Sequence, residues 1–386
     1  YFLSCLAWAW GGVGAQAVVW VRPTQMLATL LATIGCTEVQ IRAPTGELVV
    51  GNALEDGNDA RGLSLSPALR GEHRGGSGAD CMSFALKFGF VGGINEAGLG
   101  LNEHALDLAV FQEPSAELPT LCKRDFTAWA LGLHSTVDEV AAGLHGVRVV
   151  GDKGGQWGLH DAQGASIVIE FVKGMLTVHN NSVGENNTGI GVMTNDPTWD
   201  WQLQNLNNFA ALQPGWYGGP HNSQLIQRDV PREARYPWAT KAYDDELPTV
   251  PSPIGHAYNL LGLPGDGSPP SRFVRAFYLR GFALLQAPPR DLNGTLVLMQ
   301  ELLNSVYKVL GSVAARNALD PLETTPLSSI QVKGPGTRQI FYRSRYDMTW
   351  RRIDLARLDF SPGAKKRSAR VAMGSFGFVD ATPELL

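Results

Sequence analysis

Residues Thr37 to Arg42 and Glu47 to Val50 have strand-like patterns of apolar and polar side chains around a Pro44-Thr45-Gly46 turn, which predicts a hairpin. The same reading gives strands at Phe84 to Val91 and Gly98 to Leu101. Lys123 to His134 and Thr136 to Leu144 carry apolar residues at helical spacing, with Ser135 or Thr136 placed to cap the second helix. Three strands follow, Gly155 to His160, Ser166 to Val172 and Met175 to Val178. They are joined by Asp161-Ala162-Gln163-Gly164 and Lys173-Gly174 turns, and the unbroken Ile167-Val168-Ile169 run marks the middle strand as buried. Helices at Ser271 to Leu285 and Leu292 to Leu310 precede closing strands at Gln339 to Arg345 and Thr349 to Leu355. Asp56 to Ala79 and Pro214 to Pro253 are rich in glycine, proline and charge and read as surface excursions. Strands, then helices, then strands, without regular βαβ alternation or an internal repeat, predict an α+β layered domain.

The ends of the chain add a processing question. Tyr1 to Trp20 holds no charged side chain, and Ala15-Gln16-Ala17 has the small-x-small form of a signal-peptidase site. A second apolar run, Met26 to Gly35, stops directly at Cys36. Residues 1–35 are therefore expected to be a leader, a signal peptide with a short propeptide, and residues 36–386 a single domain that is secreted or held in the secretory lumen or periplasm. A membrane anchor is the rival reading of the first run. Three sequons, at Asn180, Asn186 and Asn293, permit glycosylation in such a compartment.

Composition narrows the partners. With 44% apolar and 18% charged residues in 386, the chain can bury a substantial core. Its 32 basic and 36 acidic side chains give a net charge of −4, which argues against nucleic acid as the main partner and for a small molecule. Four cysteines (Cys5, Cys36, Cys81, Cys122) are too few for a disulfide scaffold, and no Cys-x-x-Cys or His-x-x-x-His pair suggests a metal. No cofactor is expected.

Chemistry enters at Gly35-Cys36-Thr37, a cysteine at the start of a strand and directly after a removable segment. Further along lie Ile94-Asn95-Glu96-Ala97-Gly98-Leu99, the Asp161-to-Glu170 hairpin, Met193-Thr194-Asn195-Asp196-Pro197-Thr198-Trp199-Asp200-Trp201-Gln202-Leu203, and Gly262-Leu263-Pro264-Gly265-Asp266-Gly267-Ser268-Pro269-Pro270-Ser271-Arg272-Phe273. In this order, from Cys36 to about Leu355, the motifs resemble the choloylglycine hydrolase and penicillin V acylase family of N-terminal nucleophile hydrolases. The resemblance implies a four-layer αββα sandwich and a cysteine amidohydrolase acting on a linear amide of an N-acyl amine. Bile-salt-like conjugates, penicillin V and N-acyl homoserine lactones are the implied substrates.

It also implies roles. Cys36 is the nucleophile, and its own α-amine, freed by processing, is the base. Glu55 holds that amine, Asn195 and Asn102 donate to the oxyanion, and Arg272 is the cation beside the thiolate. Arg275, one helical turn on, is the alternative if the register is shifted. Gly51-Asn52-Ala53-Leu54-Glu55 departs from the family pattern, which carries arginine where Asn52 stands. Either another cation, Arg42 or Arg61, compensates, or the protein binds ligands with weak or no catalysis. Trp199, Trp201, Phe90 and Phe111 are candidates for an apolar pocket. The mature form is expected to have no stable membrane span, and the sequence leaves room for a homo-oligomer.

Overall fold

The computed structural model describes residues 35–56, 64–65, 92–151, 154–212, 260–314, 322–334, 336–358 and 369–370. The leader up to residue 34, the strand expected at Phe84 to Val91, most of the first excursion and all of the second, with Arg61 and Phe90, lie outside the described residues.

Two antiparallel sheets stack face to face. The first runs in the order β11 (Val192–Met193), β1 (Gly35–Arg42), β2 (Leu48–Asp56), β13 (Leu322–Gly334), β14 (Thr337–Ser344) and β15 (Asp347–Asp354), with β12 (Val313–Ala314) paired to one end of β13. The second runs β10 (Met175–Asn180), β9 (Ser166–Val172), β8 (Gln156–His160), β5 (Gly100–His104) and β4 (Gly92–Ile94). A parallel pair, β6 (Thr120–Cys122) with β7 (Arg148–Val150), and an antiparallel pair, β3 (Ser64–Leu65) with β16 (Ala369–Arg370), stand apart.

Helices cover both outer faces, so the layers are αββα. Helices α1 (Phe126–Leu133) and α2 (Val137–Leu144) pack on the second sheet, and α3 (Trp199–Asn205) follows β11. On the first sheet lie α4 (Pro269–Gln286) and α5 (Leu292–Ser305). Each outer layer owns an apolar core. Val39, Ile41, Val49, Ala53, Ile330 and Val332 meet Phe273 and Ala276 of α4 and Met299 and Leu303 of α5. Gly51 lets α5 come close, since a Cβ there would fall 2.4 Å from the Met299 sulfur. On the other side Leu99, Leu101, Trp157, Leu159 and Phe171 meet Phe126, Trp129 and Leu144, with Phe126 stacked on Trp157 at 4.1 Å between ring centres. Full burial of side chains of this size stabilises by ~1.5–3 kcal/mol each.

Two of the sequence motifs prove to be architectural. Asn95 Oδ1 accepts from Ala97 and Leu99 N at 3.0 Å and closes the β4–β5 turn, in which Gly98 has φ +91°; its Nδ2 donates to Leu131 and His134 O at the end of α1. Asp161 Oδ1 likewise gathers Gln163, Gly164 and Ala165 N, while Oδ2 accepts from Val137 N at the start of α2. Both turns thereby tie the outer helices to the second sheet. Thr136 is the cap of α2, its Oγ1 accepting from Glu139 N at 3.2 Å.

The sequence reading missed β13, the strand at the centre of the first sheet. Pro326 breaks its pattern, and the structure accommodates that proline where the pairing with β2 shifts register between Thr324 and Leu327. The expected helix to Leu310 ends at Ser305, so Lys308 lies beyond it.

Candidate active site

Strand β1 is flanked along its length by β2, but β11 pairs only with Glu38 and Val39. Toward its start, the backbone of Cys36 therefore has no neighbouring strand on the β11 side among the described residues. Two side chains satisfy it instead. Cys36 N donates to Asn195 Oδ1 at 2.9 Å, and Cys36 O accepts from Arg272 Nη1 at 3.0 Å.

Asn195 comes from the loop between β11 and α3, and the motif around it explains its fixed position. Trp199 donates its backbone N to Glu170 Oε1 at 2.7 Å and its indole N to Val192 O at 3.2 Å. Gln202 Nε2 reaches back to Asp196 O at 3.1 Å. Arg272 comes from the first turn of α4. Asp266 closes the preceding loop by accepting from Ser268 N and Ser271 Oγ, and Arg275 pins it from outside, donating to Pro264 O, Asp266 O and Ser305 O. Arg272 is thus the inward arginine and Arg275 the staple. Fully buried, Arg272 donates to Cys36 O, Thr37 Oγ1, Asn195 Oδ1 and Gly267 O and pairs with Glu55 Oε1 at 3.0 Å.

Glu55 stands opposite Gly35 in the β1–β2 register, on the helix-facing side of the sheet. Its other oxygen lies 2.9 Å from Lys308 Nζ, which also contacts Glu323 at 2.5 Å. Two cations thus balance two carboxylates around the start of β1, and Lys308 was not anticipated.

The other face of β1 looks into the space between the sheets, and there Cys36, Glu38 and Gln40 follow one another at strand period. This layer is mostly polar and none of the following is more than 5% exposed: Glu38, Gln40, Asn52, Asn102, His104, His160, Gln331 and Lys333. Asn102 Nδ2 donates to Glu38 Oε2 at 2.6 Å, and Gln40 Nε2 donates to Glu38 Oε1 at 3.0 Å. His160 Nε2 stands 3.5 Å from Glu38 Oε2, and its Nδ1 accepts from Lys333, whose ammonium also donates to Gln331 Oε1 at 2.9 Å. Glycines make the room. A Cβ at Gly158 would sit 3.0 Å from Glu38 Oε2, and one at Gly100 only 2.2 Å from Lys333 Nζ.

Burial works against the Glu38 charge, but His160, His104 and the Asn102 amide outweigh it and hold the carboxyl at about 2. Burial pulls Lys333 down to about 7, against the attraction of Glu38 and Asp161. His104 falls to about 4 because of burial, opposed by Glu38 and reinforced by Arg272. The cluster went unseen in the sequence, although Glu38 and Asn102 lie within or beside motifs already singled out.

Several expectations need correction. Arg42 does not compensate for Asn52: its guanidinium donates to Gly46 O and Gln163 O at the far end of β1, separated from Cys36 by ~20 Å of extended strand. Asn52 sits opposite Glu38 in the register and its Nδ2 is 3.5 Å from Asn102 Oδ1. Trp199 and Phe111 belong to the two apolar cores, whereas Trp201 is 43% exposed. Cys36 keeps its thiol, whereas Cys122 is disulfide-bonded.

Comparison with known proteins places this geometry. Residues 79–228 and 240–360 match the model of the linear amide C–N hydrolases, choloylglycine hydrolase family. A bile salt hydrolase/transferase of Clostridium perfringens is 29% identical over 270 residues, covering 67% of this chain and 70% of the relative. One from Lactiplantibacillus plantarum is 31% identical over 213 residues, covering 52% and 54%. Among solved structures, a mutant of the conjugated bile acid hydrolase from Clostridium perfringens has a TM-score of 0.65 at 21% identity, covering 89% of this chain and 99% of that one. Penicillin V acylase from Agrobacterium tumefaciens has a TM-score of 0.61 at 19% identity, covering 87% and 91%. The αββα fold is therefore that of these conjugated bile acid hydrolase and penicillin V acylase structures, and the chain belongs to the choloylglycine hydrolase family of linear amide C–N hydrolases.

Proposed function

We propose that the chain, once trimmed to begin at Cys36, is a cysteine amidohydrolase that cleaves N-acyl amines: bile-salt-like conjugates, penicillin V or N-acyl homoserine lactones. The Cys36 thiol attacks the amide carbonyl, and the freed α-amine, with an unperturbed pKa of ~8, takes the thiol proton and passes it to the departing amine. Water then hydrolyses the thioester. Asn195 and Asn102 hold the oxyanion, Glu55 orients the α-amine and Arg272 supplies the positive charge.

The observation that carries this reading is the seat of Cys36. Its nitrogen lies on Asn195 Oδ1, its carbonyl on Arg272, and Glu55 is held beside the strand start by Arg272 and Lys308. Before trimming, that nitrogen is an amide without a usable lone pair, so the uncut chain is inert. The family match favours an enzyme over a ligand binder that has lost its chemistry. Secretion is supported by the uncharged run Tyr1 to Trp20, by the disulfide at Cys122 and by the exposure of Asn180, Asn186 and Asn293.

The test combines intact mass with turnover. The active species should start at Cys36, and Cys36→Ala should keep its fold while losing hydrolysis of a panel of N-acyl amines. Turnover by a chain with an intact Gly35–Cys36 bond would rule the α-amine mechanism out.

A further inference from the structure

Besides His104, three further buried charged or titratable side chains between the sheets, Glu38, His160 and Lys333, have no part in the chemistry described above. They come from β1, β8 and β13 and meet only because Gly100 and Gly158 leave space in the second sheet. Burying such a set costs free energy that apolar residues of the same volume would not. The set ends on the Asn102 carboxamide.

A carboxamide has two nearly equivalent orientations, and only one presents N–H where the other presents C=O. An ionised carboxylate accepts and cannot donate, so Glu38 Oε2, 2.6 Å away, admits only the Nδ2 end of Asn102. Asn52 adds little, since its contact with Asn102 Oδ1 is 3.5 Å, at the outer limit of a hydrogen bond. Asn195 is oriented by the complementary device: Arg272 can only donate, and it fixes Oδ1.

We propose that Glu38 is a positioning residue for amide hydrolysis, orienting Asn102 so that an N–H faces the developing oxyanion, with Lys333 acting through His160 to balance the charge placed two residues from the nucleophile. Without that balance, the carboxylate on the Cys36 face of β1 would oppose the thiolate. With Nδ1 of His160 accepting from Lys333, Nε2 carries the proton that points toward Glu38.

The inference rests on Asn102 being an oxyanion donor, and the experiment separates the two. Steady-state kcat and KM are measured on processed protein with an N-acyl amine the parent hydrolyses. Asn102→Ala should lower kcat about 100-fold with KM nearly unchanged. Glu38→Gln, whose side-chain oxygen is claimed by Gln40 Nε2 so that its NH2 faces Asn102 and selects the flipped carboxamide, should lower kcat about 10- to 100-fold, again with KM nearly unchanged. Glu38→Asp keeps an acceptor-only end and should recover much of the loss. In the Asn102→Ala background, Glu38→Gln should cost less than about twofold, because both changes remove one effect.

A normal kcat in Asn102→Ala refutes the reading of Asn102, and the proposal with it. A loss in Asn102→Ala beside a normal kcat in Glu38→Gln, or losses that multiply in the double variant, overturns the role of Glu38 alone. If Glu38→Gln does not fold, Glu38→Gln combined with Lys333→Met removes both charges and is assayed in its place. The same loss of kcat is expected there, and a parental kcat overturns the proposal.

Discussion

Replacing Arg272 with methionine keeps the length of the side chain and removes the fork that ties α4 to the start of β1. The cluster now holds two cations, Arg272 and Lys308, against Glu55 and Glu323, and the variant leaves one cation against two carboxylates. Removing one partner of a buried pair costs about 3–5 kcal/mol. Lys308 remains 2.9 Å from Glu55, which sets the electrostatic loss near the lower end, about 3 kcal/mol. Cys36 O and Gly267 O lose a donor at about 1 kcal/mol each, whereas Asn195 Oδ1 keeps Cys36 N. The expected total is about 4–5 kcal/mol, read from urea unfolding followed by tryptophan fluorescence at neutral pH. Arg272→Lys keeps the charge but cannot span from Gly267 to Asn195, and should lose roughly half as much. Adding Glu55→Gln to Arg272→Met removes the uncompensated carboxylate, so the double variant should be at least about 1 kcal/mol more stable than additivity predicts. A cost below about 1 kcal/mol for Arg272→Met, or strict additivity in the double variant, would refute this account.

Other positions offer independent checks. Gly281→Ala, in α4 with nothing within 4 Å of the added carbon, should stabilise by about 0.5–1 kcal/mol. Gly158→Ala, which crowds Glu38 and Met193, should cost about 1–3 kcal/mol; thermal melting of both variants tests the contrast. His104 titrates at about 4 when folded and near 6.5 when unfolded, so between those values the unfolded chain binds the extra proton and stability falls as pH drops. The loss is about 3 kcal/mol across that window, and His104→Gln should flatten this part of the stability–pH curve; an unchanged slope would contradict it. Cys122→Ala should leave kcat of the folded protein intact while lowering stability by about 2–4 kcal/mol through loss of its disulfide, measured by denaturant titration.

What the sequence revealed of the site divides along physical lines. Cys36, Asn195 and Arg272 were legible because each sits in a contiguous run whose other members position it: Trp199 and Gln202 fix the Asn195 loop, and Asp266 with Ser268 and Ser271 fixes the start of α4. Periodicity alone left Arg272 and Arg275 one turn apart and equivalent. The partners of Arg275, three backbone carbonyls, decide between them. Lys308, His160 and Lys333 were illegible for the opposite reason. They reach Glu55 and Glu38 only through the pairing of β2 with β13 and the stacking of the two sheets, and a lone lysine beside a turn ordinarily reads as solvated. The strand bearing Lys333 was itself hidden by Pro326. Asn52 was noticed as a missing arginine, but not that Glu38 would face it across the strands.

The polar layer between the sheets has a consequence for how the molecule opens. Each sheet is cemented to its own helices by an apolar core, whereas between the sheets the layer around Glu38 is held by hydrogen bonds and charges, with Val168 of β9 as an apolar link to the first core. Contacts of that kind lose little when water replaces them, so the seam is the plane along which partial unfolding is cheapest. Amide hydrogen exchange should therefore resolve two cooperative units, one containing β5, β8 and β9 with α1 and α2, the other β1, β2 and β13 with α4 and α5. Cys36 lies on the boundary between them, where a small separation of the halves would admit solvent to it without melting either one.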